Sequence, residues 1–198
     1  MEVSPRLPCE RYNVWIDTVM RLCETTRMKS STDVTFTYRS FQPAELEAIT
    51  GLKPALIRDW RRRSLIHPSL DRTTSGFPAA TVAEFMLLAR LSDHGIGPKR
   101  VYGWSRAFAG KILTHALDDV SAWASADDYD AWQTGGATAA EQFLAIWPAP
   151  GGMQARHSLD GILNGADLVT IVDLRAMGSR FRDAAGGPIA SAMRLTDA

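Results

Sequence analysis

In the middle of this 198-residue chain, apolar side chains recur three and four residues apart, as they do on one face of a helix. Leu46 and Ile49 make one such pair, and Ile57 and Trp60 make a second. Val82, Phe85, Met86, Leu88, Ala89 and Leu91 form a longer stripe that stops at His94-Gly95. Val101, Trp104, Phe108, Ile112 and Leu117 form another, which begins near Pro98. Four helices are therefore predicted. Pro43 and Pro54 suit the first turns of the first two, because a missing N–H costs nothing where no intrahelical acceptor exists. Gly51 suits the left-handed backbone that ends one helix and starts a sharp turn. After Leu65-Ile66 comes a polar stretch, His67 to Ser75, ending in Gly76-Phe77-Pro78. That is the composition of a hairpin loop between short strands.

The flanks read differently. Residues 1–9, with two prolines, predict a tail. Residues 10–27 predict a helix with Trp15, Val19, Leu22 and Cys23 on a face, and Ser30 to Asp33 predict a linker. Met28 offers an alternative start. Val34 to Tyr38 is a short β-prone run leading into the first helix of the central segment. Beyond it, Asp118-Asp119, Asp127-Asp128 and Asp130 lie in an Ala-rich stretch that reads as a solvated loop, broken by Gly135-Gly136. Gln142 to Trp147 predicts a buried strand ended by Pro148, and Leu168 to Val172 a second. Leu174, Met177, Phe181 and Ala185 then mark an amphipathic helix capped by Asp173 and closed by Gly186-Gly187. The expected fold is mainly α: a winged helix-turn-helix over residues 39–117, followed by a small acidic α/β element over 118–198. Residues 1–38 precede both.

Charge changes the picture more than composition does. The formal net charge is zero. Residues 41–112 nevertheless hold 11 Lys/Arg against 6 Asp/Glu, whereas residues 113–198 hold 5 against 11. A bound phosphate feels the local field, since salt screens charges beyond about 8–10 Å. No run of eighteen apolar residues predicts a membrane span, and the first residues lack the layout of a secretory signal. Cys9 and Cys23 stand alone, which predicts two reduced thiols in a cytoplasmic protein. His67, His94, His115 and His157 lack ligand spacing, and no nucleophile–base pair or Gly-rich phosphate loop is present. Neither an enzyme, nor a metal, nor a cofactor is expected.

The basic excess coincides with the helix-turn-helix pattern, and a short helix packed across an arginine-rich second helix fits the DNA major groove. Ile57 and Trp60 face the core, which leaves Arg58 and Arg62, four apart, on another face. Either arginine is suited to bidentate contact with guanine O6 and N7. Lys53 and Ala55 lie at the helix start, nearest the groove floor. Arg61, Arg63 and Arg72 are expected at phosphates, with Thr73 and Thr74 as hydroxyls of the wing. Lys99 and Arg100, just past Gly97-Pro98, are expected at backbone phosphate beside a helix N-terminus, and Tyr102 at the DNA side. The other outcome for these arginines is a solvated face in which they pair with Asp59, Asp71 or Glu47.

The segment from about residue 39 to 112 resembles the DNA-binding domain of the MerR family of bacterial transcription regulators. Ile57-Arg58-Asp59-Trp60 stands where that family carries Ile/Leu-Arg-aromatic-aromatic. Leu65-Ile66, the wing-like Arg72 with Ser75-Gly76-Phe77, and the junction of Leu91 with Gly95-Ile96 follow in its order. The resemblance implies sequence-specific binding of double-stranded DNA and transcription regulation. Three positions depart from it. Glu47 replaces a small residue, so an ion pair with an arginine of the second helix is expected; Pro78 replaces a basic residue after the wing aromatic; and residues 113–135 lack the heptads of a long dimerisation helix. A homodimer is still expected, because one such module contacts few base pairs and two half-sites supply the missing specificity. The acidic C-terminal element is then the candidate for self-association or a protein partner. A phage-type architectural, recombination or packaging factor of the excisionase or small-terminase kind shares the same winged helix, and sequence leaves that alternative open. A helix-turn-helix kept only as a protein-interaction scaffold is the third reading.

Overall fold

The computed structural model describes residues 34–66, 76–101, 104–134, 141–149, 152–157 and 168–194. The expected tail, helix and linker of residues 1–33, and the polar stretch His67 to Ser75, lie outside them. The order is β1 (Val34–Tyr38), β2 (Ser40–Phe41), α1 (Pro43–Thr50), α2 (Pro54–Arg62), β3 (Phe77–Pro78) and α3 (Ala79–Asp93). Then come α4 (Pro98–Val101), α5 (Ser105–Leu117), a 3-10 turn (Val120–Ala122) and α6 (Ala126–Thr134). The chain continues through β4 (Phe143–Ala149), β5 (Gly152–Arg156), β6 (Thr170–Asp173), α7 (Leu174–Ala185) and β7 (Ala190–Arg194).

Local chemistry accounts for the ends of the first helices. Pro43 and Pro54 open α1 and α2, and the Gln42 backbone N–H donates to the Glu45 carboxylate at 2.7 Å. Gly51, with φ of 71°, closes α1 and donates its N–H to the Glu47 carbonyl at 2.8 Å. α2 ends in the same manner without a glycine: Ser64 takes φ of 53°, and the Leu65 N–H reaches back to the Trp60 carbonyl at 2.8 Å. α3 is the central pillar. Its apolar stripe predicts one buried face, but α1, α5, α7 and the β2–β3 pair surround it, and even Thr81 and Glu84 are buried. The fourth predicted helix is divided. Trp104, with φ of −135°, lies between α4 and α5.

Among the described residues three small antiparallel sheets tie distant parts of the chain together. β2 pairs with β3 in the register Phe41↔Phe77, whereas Leu65 and Ile66 lie outside any strand. Val34 to Tyr38 does precede the first helix, but as β1 it pairs along its length with β7, from Val34↔Arg194 to Tyr38↔Ala190. The third sheet has the order β5-β4-β6, with Ala145 opposite both Arg156 and Ile171. β4 runs through Pro148 instead of stopping there, with Pro148 opposite Met153.

The C-terminal helix α7 packs on α5 and follows its predicted stripe: Leu174, Met177, Phe181 and Ala185 are buried. The Asp173 carboxylate accepts the Ala176 N–H at 2.9 Å, and Gly186, with φ of 64°, ends the helix. The crossing is close at Gly178. A Cβ there would lie 2.6 Å from the His115 Cβ and 2.7 Å from the Ala116 nitrogen. Arg39 fastens the far end of α7 to the helix-turn-helix. Its guanidinium donates to the Ala185 carbonyl at 2.9 Å, pairs with Glu45, and lies 4.9 Å over the Phe41 ring. The acidic stretch expected as a loop is instead the 3-10 turn and α6. α6 buries none of its residues fully and starts where the Ser125 hydroxyl accepts the Asp128 N–H at 3.2 Å. Half-buried Trp132 joins Phe36 and Trp123 in a cluster of ring centroids 5.5–5.6 Å apart.

Candidate nucleic-acid interface

α2 is held from one side only. Ile57 and Trp60 are 4% and 6% exposed and belong to the same core as Leu46, Leu52 and Phe77. At 3.6 residues per turn, the opposite side carries Ala55, Arg58, Asp59 and Arg62, with Leu56 and Arg63 on the flank nearer Trp60. Lys53, Ala55, Leu56, Arg58, Arg62 and Arg63 are all exposed. The turn that places them is short: Gly51, Leu52 and Lys53 join α1 to α2, and Leu52 is buried beneath it. The Thr50 hydroxyl stiffens that turn by accepting the Leu52 N–H at 3.1 Å while donating to the Leu46 carbonyl at 2.7 Å.

The arginines divide into three kinds. Among the described residues Arg58 is exposed and has no carboxylate partner. Arg62 and Arg63 both bind Asp59, through Nη2 to Oδ1 at 2.6 Å and Nε to Oδ2 at 2.9 Å. Their side chains nonetheless stay 77% and 63% exposed, against 27% for Asp59. Arg61 is half-buried, with its guanidinium carbon 5.9 Å from the centre of the Phe77 ring. That stacking turns it toward the core side of the helix, away from the stripe that carries Arg58 and Arg62. The Arg62 hydrogen bond, with help from the charges of Arg63 and Arg62, holds the Asp59 carboxyl below its ordinary value against the cost of desolvation.

The remaining candidates sit elsewhere. Lys99 and Arg100 are exposed on the four-residue α4, whose Pro98 and Val101 are buried. Because the helix expected from Pro98 is interrupted, those two residues stand on a single turn and not at the head of a long helix dipole. Arg72, Thr73, Thr74 and Tyr102 lie outside the described residues. Glu47 is exposed and forms no ion pair among the described residues. Among the described residues Arg62 and Arg63 pair with Asp59, within the same helix, where spacings of three and four bring side chains together.

One residue near this face was not among the sequence candidates. Leu56, 41% exposed, stands beside Ala55 where an apolar side chain can meet a thymine methyl. Asp59 was expected as an ion-pair partner of these arginines, and it pairs with Arg62 and Arg63. Among the described residues no group of three His, Cys, Asp or Glu side chains is placed to hold a metal ion, and no helix is long and apolar enough to cross a membrane.

No curated protein and no solved structure matches the chain. A family model does: residues 41–107, from β2 into the first residues of α5, match the one described as MerR HTH family regulatory protein. The matched segment contains α1, the Gly51 turn and α2, together with α3, on which α1 packs. Residues 41–107 of this chain are thus similar to the helix-turn-helix segment of the MerR family of regulators.

Proposed function

We propose that the protein is a sequence-specific regulator of transcription that lays α2 in the major groove of double-stranded DNA. The observation that carries this reading is the outward face of α2, where Lys53, Arg58, Arg62 and Arg63 are exposed while Ile57 and Trp60 anchor the helix from behind. Arg58 and Arg62 read base edges, and Arg63 meets phosphate. Arg72, Thr73 and Thr74 complete the contact as a wing, and Lys99 and Arg100 add backbone phosphate contacts. Arg61 contributes least, because its stacking on Phe77 holds it back.

A second copy supplies the second half-site, since one module of this size reads only a few base pairs. α5 does not offer its apolar side for that purpose: Phe108, Ala109, Ile112, Ala116 and Leu117 are already buried. Self-association, or a protein partner, therefore falls to the acidic C-terminal elements. The site of action is the cytoplasm of a bacterium or of a phage-infected cell. A gel shift of the full chain on a pool of genomic duplexes at low salt tests the reading. Retardation of a subset of fragments is expected, and failure to retard any duplex excludes it.

A further inference from the structure

Asp59 is an unusual occupant of a surface that meets phosphate. It lies half-buried on the outward side of α2, next to Arg58 in sequence and one turn before Arg62 and Arg63. One carboxylate oxygen takes the Arg62 Nη2 and the second takes the Arg63 Nε. A guanidinium has five N–H donors, so neither arginine is consumed by this contact. Arg62 keeps its Nε and Nη1 groups for another acceptor, and Arg63 keeps both of its Nη groups. The exposures show the same arrangement, with the arginine side chains well out in solvent and the carboxylate lower down between them. Both arginines follow the acid along the helix, the order that suits the helix dipole.

We infer that Asp59 is a positioning residue for DNA specificity, acting through Arg62 and Arg63. It holds the two guanidiniums side by side in one geometry and cancels one of their two charges. This inference rests on the DNA-binding reading of α2. Two consequences follow from the physics. Holding the arginines restricts which base edges and phosphates they meet together. Cancelling a charge weakens attachment to arbitrary duplex, which depends on the number of phosphates neutralised. Specificity is a difference of affinities, so an acid that reduces the sequence-independent part raises the ratio even where it adds no contact of its own. Helix stability is a poor alternative explanation, because exposed pairs at these spacings contribute little to it.

The test uses the full chain with Asp59→Asn and Asp59→Glu, the first removing only the charge and the second retaining it. Each is titrated against a duplex selected from a random-sequence pool and against an unrelated duplex, over a range of salt, with thermal unfolding as the check on folding. Asp59→Asn is expected to bind the unrelated duplex more tightly than the parent, with a salt slope steeper by about 0.9. Its advantage should grow about three- to four-fold as salt falls from about 200 to about 50 mM. Its preference for the selected duplex should shrink, and Asp59→Glu should keep the parental slope. A parent that binds selectively, with an Asp59→Asn variant of unchanged slope and unchanged preference, overturns the inference and leaves the DNA reading standing. Weaker binding of both duplexes by a folded Asp59→Asn also overturns it. A parent that retains no duplex at any salt removes both.

Discussion

α2 and α7 are built alike and used oppositely. Each is a short amphipathic helix rich in arginine, opened by a clear start signal and ended by a residue with left-handed backbone: Ser64 just after α2, Gly186 after α7. In α7 four apolar side chains and Gly178 are buried, and at Gly178 the helix lies so close to α5 that a methyl group has no room. In α2 only Ile57 and Trp60 are buried, and most of the circumference is left to solvent. Arginines follow that division only in part, since Arg175 and Arg180 of α7 are exposed. Arg182 of α7 is spent within the molecule, 3.2 Å from Asp119, whereas the side chains of Arg62 and Arg63 remain largely exposed even while paired. The lesson is that amphipathicity alone does not say whether a helix is structural or presented. The number of anchoring side chains and the closeness of approach decide it.

That contrast can be broken first in α7. Phe181→Ala removes a fully buried ring that packs on Phe41 with centroids 5.5 Å apart. A loss of about 3–5 kcal/mol is expected, read by denaturant unfolding. Gly178→Ala is the next largest, costing about 1–3 kcal/mol because the added carbon meets backbone of α5 that cannot swing aside. An unchanged melting temperature would show that the two helices separate more easily than their packing indicates. In α2 the expectation inverts: Arg58→Ala should leave unfolding unchanged while weakening the selected DNA site by about 1–3 kcal/mol and relaxing one base position. Equal losses on selected and unrelated duplex would reassign Arg58 to phosphate.

The smallest effect sharpens the comparison at α3, against which α7 packs. Glu84 of α3 is buried, and burial pushes its carboxyl above the ordinary value of 4.5 against the Ser105 hydrogen bond of 2.6 Å and the charge of Arg106. A carboxyl raised on folding adds stability that is fully present below its unfolded value and is lost as pH rises through the folded value. Glu84→Gln, neutral throughout and still able to accept from Ser105, should therefore melt higher than the parent at about pH 8. The difference should shrink toward about pH 5, and a gain independent of pH would contradict this account.

How far the fold was legible depends on how local its causes are. α1, α2, α3 and α7 were readable because Pro43, Gly51, Pro54, Asp173 and Gly186 act within a few residues of themselves, and their apolar stripes have one period. β5 (Gly-Met-Gln-Ala-Arg) and β7 (Ala-Ser-Ala-Met-Arg) were not readable. Neither has the branched and aromatic residues of a strand, and each is extended because β4 or β1 lies beside it. β1 was readable as a β-prone run, but its partner at the other end of the chain was not. α6 looked like a loop because its aspartates mask a helix that is capped by Ser125 and leans on Trp123 through Trp132. At the interface, the outward stripe of Lys53, Ala55, Arg58 and Arg62 was legible from the spacing of Ile57 and Trp60. Its rank order was not, because Arg61 answers to Phe77, sixteen residues away in sequence.

By itself, the sequence determined that two helices meet across a Gly51 turn and that the second presents a cationic face, since proline, glycine and the three-residue step from Ile57 to Trp60 act over short distances. Only the tertiary structure decided which cations remain open, which one stacks on an aromatic ring, and that the C-terminal helix occupies the apolar side of α5. Those outcomes depend on which distant side chains arrive beside them, and no local pattern encodes such meetings.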